Sequence, residues 1–106
     1  MANQNFLIDI NTLDKANEIL KKYGMDDKSV LRAFIKACVN QNQLLIEADD
    51  SNNTPPQDTV YVSFWDENKQ WIPSFAKLCE RAGYSRTAVI RNLFDLIVRT
   101  RRIPFM

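Results

Sequence analysis

An internal repeat at a fixed offset of 59 residues constrains this chain more than any other feature. Two short runs alternate apolar and polar residues: Phe6-Leu7-Ile8-Asp9-Ile10 and Val60-Tyr61-Val62-Ser63-Phe64. Phe6, Ile8 and Ile10 fall on one face of an extended strand, as do Val60, Val62 and Phe64. A helix-period segment follows each run. Leu13, Ala16, Ile19, Leu20 and Tyr23 recur at helical spacing, and Ile72, Phe75, Leu78, Cys79 and Ala82 repeat them. Each segment stops at a glycine, Gly24 or Gly83, placed as a C′ cap. Asp26 and Ser85 then match as N-caps of a second, longer helix. Val30-Leu31-Arg32 matches Val89-Ile90-Arg91, and Phe34, Ile35, Cys38 and Val39 match Leu93, Phe94, Ile97 and Val98. Leu44 and Ile46 match Ile103 and Phe105. The second copy holds about five extra residues before its first helix. Trp65 and Trp71 lie there and are expected to extend the core. Pro73 suits the first helical turn, where a missing N–H costs little.

Residues 47–58 are polar, acidic and proline-bearing and read as a linker. The chain therefore divides into a first repeat (1–46), the linker, and a second repeat (59–106), together one compact domain. A unit of ~45 residues has too little core to fold alone. A lone strand also has no partner for its backbone N–H and C=O groups. The expected fold is mainly α with a short two-stranded antiparallel ribbon, residues 5–10 against 59–64. It is a β-α-α-linker-β-α-α tandem closed as a pseudo-dimer within one chain. An intertwined dimer of chains fits the same pattern.

Composition removes whole classes of function. With 45% apolar and 25% charged residues the chain reads as globular. No run of 18 apolar residues is present, so no membrane partner is expected. The first five residues carry no basic or long apolar stretch, so no secretory signal is expected. Histidine is absent, which removes Ser-His-Asp and Cys-His chemistry and most zinc sites. Cys38 and Cys79, in apolar surroundings, read as reduced core thiols of a cytoplasmic protein. Two glycines cannot build a phosphate-cradling loop. No catalytic residue, metal or cofactor is expected, and the chain does not read as an enzyme. Residues 1–58 hold nine acids against six Lys/Arg, whereas residues 59–106 hold eight Lys/Arg against four acids. Six of those eight are arginine, whose planar fork matches phosphate and guanine edges. The second half therefore suits an anionic partner.

Strand-helix-helix in this register resembles the ribbon-helix-helix family of DNA-binding proteins. Gly83-Tyr84-Ser85-Arg86-Thr87-Ala88-Val89-Ile90-Arg91 is similar to the family's turn and second helix. The ending Arg102-Ile103-Pro104-Phe105 resembles the close of the domain in antitoxins. The single-chain tandem is similar to accessory proteins of plasmid relaxosomes in conjugation and to mobile-element repressors. The resemblance implies a ribbon lying in the major groove of double-stranded DNA and helix N-termini that grip phosphates.

The outward strand positions are the base-reading candidates: Asn5, Leu7 and Asp9 in the first copy, Thr59, Tyr61 and Ser63 in the second. Asn5 suits adenine, Leu7 a thymine methyl, and Asp9 only the cytosine amino group. Neither strand offers a basic residue there. The phosphate-binding candidates are Lys28 and Ser29 in the first copy and Ser85, Arg86 and Thr87 in the second, since a helix N-terminus favours an anion. Asp26 and Asp27 already bring negative charge to the first of these sites. Arg32 and Arg91 read as surface ion-pair or phosphate residues. Arg99, Arg101 and Arg102 suit either phosphate or the negative helix end. The expected activity is sequence-specific DNA binding, as a transcriptional repressor or plasmid transfer factor, by a pseudo-dimeric monomer or a higher-order assembly on DNA. The alternative is a module for a protein partner, antitoxin-like or a phage-encoded inhibitor, with weak or no DNA binding, although an ending at Met106 leaves no toxin-wrapping tail. A helix-turn-helix over residues 75–94 is disfavoured by its long second helix.

Overall fold

The structure, a computed structural model, describes residues 2–49, 58–67 and 69–105. Six elements follow in order: β1 (Ala2–Asp9), α1 (Ile10–Lys21), α2 (Asp27–Gln41), β2 (Thr59–Asp66), α3 (Trp71–Ala82) and α4 (Arg86–Thr100). β1 and β2 pair antiparallel from Ala2 opposite Asp66 to Asp9 opposite Thr59. The expected ribbon of 5–10 against 59–64 is thus shifted toward the N-terminus of β1 and extended at the C-terminus of β2. Ile10 is not a strand residue. The Asp9 carboxylate accepts the Thr12 N–H at 2.9 Å and the Thr12 hydroxyl at 3.1 Å, which caps α1 and turns the chain out of the ladder. Ile10 becomes the first helical residue and stays 41% exposed, while its N–H donates to the Asp58 carbonyl at 3.0 Å.

The tandem βαα–βαα reading is corrected. The protein is one β1-α1-α2-β2-α3-α4 arrangement around one two-stranded sheet, and its main helix packing does not follow the repeats. α1 packs chiefly on α4, and α2 chiefly on α3, while helices adjacent in sequence touch less. The reason is that neither half buries its apolar faces alone: β1 pairs with β2, α1 lies on α4 and α2 on α3, so each half completes the other's core. One core results, from Phe6, Ile8, Val62 and Phe64 beneath the ribbon to Leu31, Phe34, Phe94 and Ile97 between the helices.

Several local expectations can be followed residue by residue. Leu13, Ala16 and Leu20 are buried on α1, and Ile72, Phe75, Leu78 and Cys79 on α3. Tyr23 and Ala82, expected in the same stripes, are exposed, because each lies where its helix runs out. Gly24 and Gly83 both have positive φ, +70° and +82°, the left-handed conformation that reverses a chain after a helix. The same turn bonds form at both: Met25 N–H to the Leu20 carbonyl, and Tyr84 N–H to the Cys79 carbonyl, each at 3.0 Å. Asp26 and Ser85 cap α2 and α4 by accepting the N–H groups of Ser29 and Ala88. Trp71 is half-buried against the core, but Trp65 is 43% exposed, since an odd position of β2 faces away from the helices. Two residues at the start of the expected linker are engaged with the rest of the protein. Ala48 is buried, and the Glu47 carbonyl accepts the Asn92 side-chain amide. Residues 50–57 of that linker lie outside the described residues.

Candidate nucleic-acid interface

The ribbon has two chemically different faces because side chains alternate along a strand. Its inner face is core. Its outer face is four cross-strand pairs: Asn3 with Trp65, Asn5 with Ser63, Leu7 with Tyr61, and Asp9 with Thr59. Tyr61 is 62% exposed and Thr59 and Asn5 are exposed, whereas Leu7, Asp9 and Ser63 are half-buried. The Ser63 hydroxyl donates to the Asn5 side-chain carbonyl at 2.6 Å, so the Asn5 amino group is the donor left for a base acceptor. Asp9 is occupied as the cap of α1, a role that accounts for an acid at this position without DNA. Tyr61 supplies a donor and an acceptor on a large exposed ring.

Among the described residues no third strand pairs with either outer edge of the ribbon, and arginines from the long helices reach these edges. Arg91 Nε donates to the Leu7 carbonyl at 3.0 Å. Arg32 Nη1 donates to the Trp65 carbonyl at 3.1 Å, and its other nitrogen pairs with Glu67 at 2.6 Å. Its guanidinium also lies 5.5 Å from the centre of the Phe64 ring. The two arginines occupy matching positions of the repeat. Their role is visible in the sequence only as that match, because a bond across 84 or 33 residues leaves no local pattern.

The two sets of phosphate candidates sit in unlike settings. On α2, Lys28 and Ser29 are exposed, and their N–H groups already donate to Asp27 and Asp26 at 2.8 Å. The Ser29 N–H and hydroxyl hold the Asp26 carboxyl below its ordinary range, so that helix end carries an anion of its own. On α4, Ser85 is exposed and its hydroxyl accepts the Ala88 N–H at 3.1 Å, with Arg86 and Thr87 half-buried beside it. Arg86 Nη1 donates to the Gln4 side-chain carbonyl at 2.8 Å, which ties the α4 N-terminus to β1. The structure thus links Ser85, Arg86 and Thr87 to the ribbon through Gln4, a residue that no sequence pattern singles out.

The other chemistry-bearing groups are quiet. Among the described residues no cluster of His, Cys, Asp or Glu is arranged to hold a metal ion. Cys38 and Cys79 are buried, and burial pushes their thiols up to about 11 and about 12, far from the thiolate a nucleophile needs. Among the described residues no helix is long and apolar enough to cross a membrane. Compared with known proteins, the chain matches no family model, no curated protein and no solved structure.

Proposed function

We propose that the protein binds double-stranded DNA by laying the outer face of the β1–β2 ribbon in the major groove, with Ser85, Arg86 and Thr87 against a neighbouring phosphate. The observation that carries this reading is the outer ribbon face itself. It offers hydrogen-bonding side chains to solvent at Asn5, Thr59 and Tyr61, and the core makes no use of it. A two-stranded ribbon fits the major groove, where donors and acceptors distinguish all four base pairs. The α4 end adds helix N-terminal N–H groups, a positive dipole and a guanidinium. The α2 end brings two carboxylates instead, so the two sides of the site are bound unequally and a non-palindromic target suits them. Such a protein acts as a repressor or as an accessory factor on mobile DNA, as the ribbon-helix-helix resemblance of its sequence implies.

The test is selection of bound duplexes from a random-sequence pool, then titration of the selected duplex at about 50 and about 200 mM salt. The wild-type protein is expected to bind with strong salt dependence. Arg86→Ala is expected to weaken all duplexes alike and to lower the salt slope by about 0.9 for one phosphate. Tyr61→Ala is expected to change which sequences are preferred. Absence of binding to any duplex at the lower salt would remove this reading.

One observation favours a second reading, a protein–protein module with weak or no DNA binding. None of the eight outward residues Asn3, Asn5, Leu7, Asp9, Thr59, Tyr61, Ser63 and Trp65 is basic, and two of them are exposed aromatics. Exposed aromatic anchors are typical of protein interfaces. Capture of one defined protein through Tyr61 and Trp65, with no duplex bound, would select it.

A further inference from the structure

A second surface lies where α1 and α4 end. The Tyr23 hydroxyl donates to the Arg101 carbonyl at 3.2 Å, which brings the C-termini of these two helices together. Lys21 and Lys22 precede Tyr23 in the chain, and Arg99 and Arg102 lie on either side of Arg101 in the chain. All five cations are exposed, and Tyr23 is 50% exposed among them. Beside them opens a groove of about 750 Å³ lined by Tyr23, Thr100, Arg102, Ile103 and Pro104. In the sequence these cations belong to two segments some 78 residues apart, and only the fold assembles them.

Helix ends alone do not account for this density of charge. Two helix C-termini together carry roughly one unit of negative charge. Lys21 lines a separate pocket with Asp14, Glu18, Asp26 and Asp27 and is met there by carboxylates, and Asp95 offsets Arg99, which leaves Lys22, Arg101 and Arg102. A positive surplus of about two remains after the dipoles are met. Exposed cations at Lys22, Arg101 and Arg102, beside an exposed aromatic ring and a groove that Arg102 lines, are the combination that binds an unpaired strand: cations track the phosphates, and the ring stacks on a base. We propose that this face binds single-stranded nucleic acid, with Lys22, Arg101 and Arg102 on phosphodiester groups and a base on Tyr23. This site is separate from the ribbon and does not depend on duplex recognition there.

The probe is a fluorescent oligothymidylate of about 12 nucleotides, titrated by anisotropy against the full chain at several salt concentrations. Binding is expected to weaken with salt. Substituting Lys22→Gln, Arg101→Asn and Arg102→Gln together is expected to reduce the salt slope by roughly 0.7 for each phosphate no longer neutralised. Asparagine is chosen at Arg101 because φ there is +56° and asparagine tolerates the left-handed region. Tyr23→Ala is expected to weaken binding by about 5- to 100-fold, whereas Tyr23→Phe keeps the stacking face and stays within about twofold. Tyr61→Ala, on the ribbon, is expected to leave oligothymidylate binding unchanged while altering duplex preference. Should the triple variant fail to fold, ultraviolet crosslinking of the wild-type protein decides, with the adduct expected on the peptide containing Tyr23. The proposal is overturned by absence of oligothymidylate binding, by a weakening that Tyr61→Ala reproduces, by an unaltered affinity in Tyr23→Ala, or by a crosslink elsewhere. Competition by polyglutamate as effective as by oligothymidylate would also overturn it, in favour of an acidic protein segment.

Discussion

Phe34→Ala is expected to destabilise the protein by about 3–5 kcal/mol, the usual cost of truncating a fully buried aromatic ring. Phe34 has no solvent exposure and lies on α2, where the long helix turns its apolar face inward. Its ring meets Phe75 of α3 edge-on, with centroids 6.1 Å apart, and Phe105 near the C-terminus at 5.3 Å. One side chain thus joins both halves of the sequence. The cavity left by alanine would be walled by α2, α3 and the final turn, and none of these can close it without pulling away from its other neighbours. Domains of this size are held by about 5–15 kcal/mol in total, so the cost is a large fraction of the whole. Urea unfolding followed by fluorescence and by circular dichroism measures it. The midpoint should fall with the slope unchanged, and both probes should move together, because the halves share one core. Ile10→Ala, at a 41% exposed position, is the comparison and should cost less than about 1 kcal/mol.

Asp66→Ala is expected to cost about 2–4 kcal/mol, from the charge-assisted hydrogen bonds removed and from buried N–H groups left without a partner. Asp66 closes β2 and is fully buried, a setting in which a carboxylate survives only if its lone pairs are used. Its oxygens accept the Ile72 N–H at 2.8 Å and the Gln70 N–H at 3.2 Å. Gln70, at the N-cap position of α3, gives no side-chain cap, so Asp66 caps that helix from the strand. Burial alone would raise the Asp66 carboxyl, but the N–H groups of Ile72, Trp71, Gln70 and Lys69 outweigh it and hold the group below its ordinary range. A depressed carboxyl contributes stability in full above the unfolded value, near ~4. That contribution disappears as pH falls through the lower folded value. Asp95 works in the opposite sense, because burial raises its carboxyl and the folded state gains as pH falls. The Asp66 effect is therefore read as the difference between wild type and Asp66→Asn. Thermal melts from neutral pH down to about pH 2 should show the two converging at the acid end. A constant separation across that range would contradict the assignment.

How far the sequence carried the fold depends on the range of each interaction. The alternation Phe6, Ile8 and Val62, Phe64 identifies the buried ribbon face, because period two is a local property of a strand. Positive φ at Gly24 and Gly83, and the caps at Asp26 and Ser85, are equally local. Where β1 ends is not: Ile10 continues the alternation, and only the capping bond between Asp9 and Thr12 turns it into a helix. The pairing of α1 with α4 and of α2 with α3 joins segments far apart in the chain, which periodicity does not encode. For the candidate interface, the outward residues follow from the alternation, but their engagements do not. Asp9 reads as a base-reading residue until its cap is seen, Arg91 and Arg32 read as surface charges until the strand carbonyls are placed beside them, and Arg86 reads as free until Gln4 is brought to it. Asp66 carried no motif, since Gln70 lies in an insertion that the first repeat lacks and Ile72 is the first matched residue after it.

The most direct test of the ribbon reading is amide chemical-shift mapping on the labelled protein during titration with its selected duplex. The largest changes are expected at Asn5, Leu7, Thr59, Tyr61 and Ser63 and at Ser85, Arg86 and Thr87, with residues 99–102 unmoved. Saturable duplex binding that leaves the β1–β2 amides in place and shifts residues elsewhere would contradict the account.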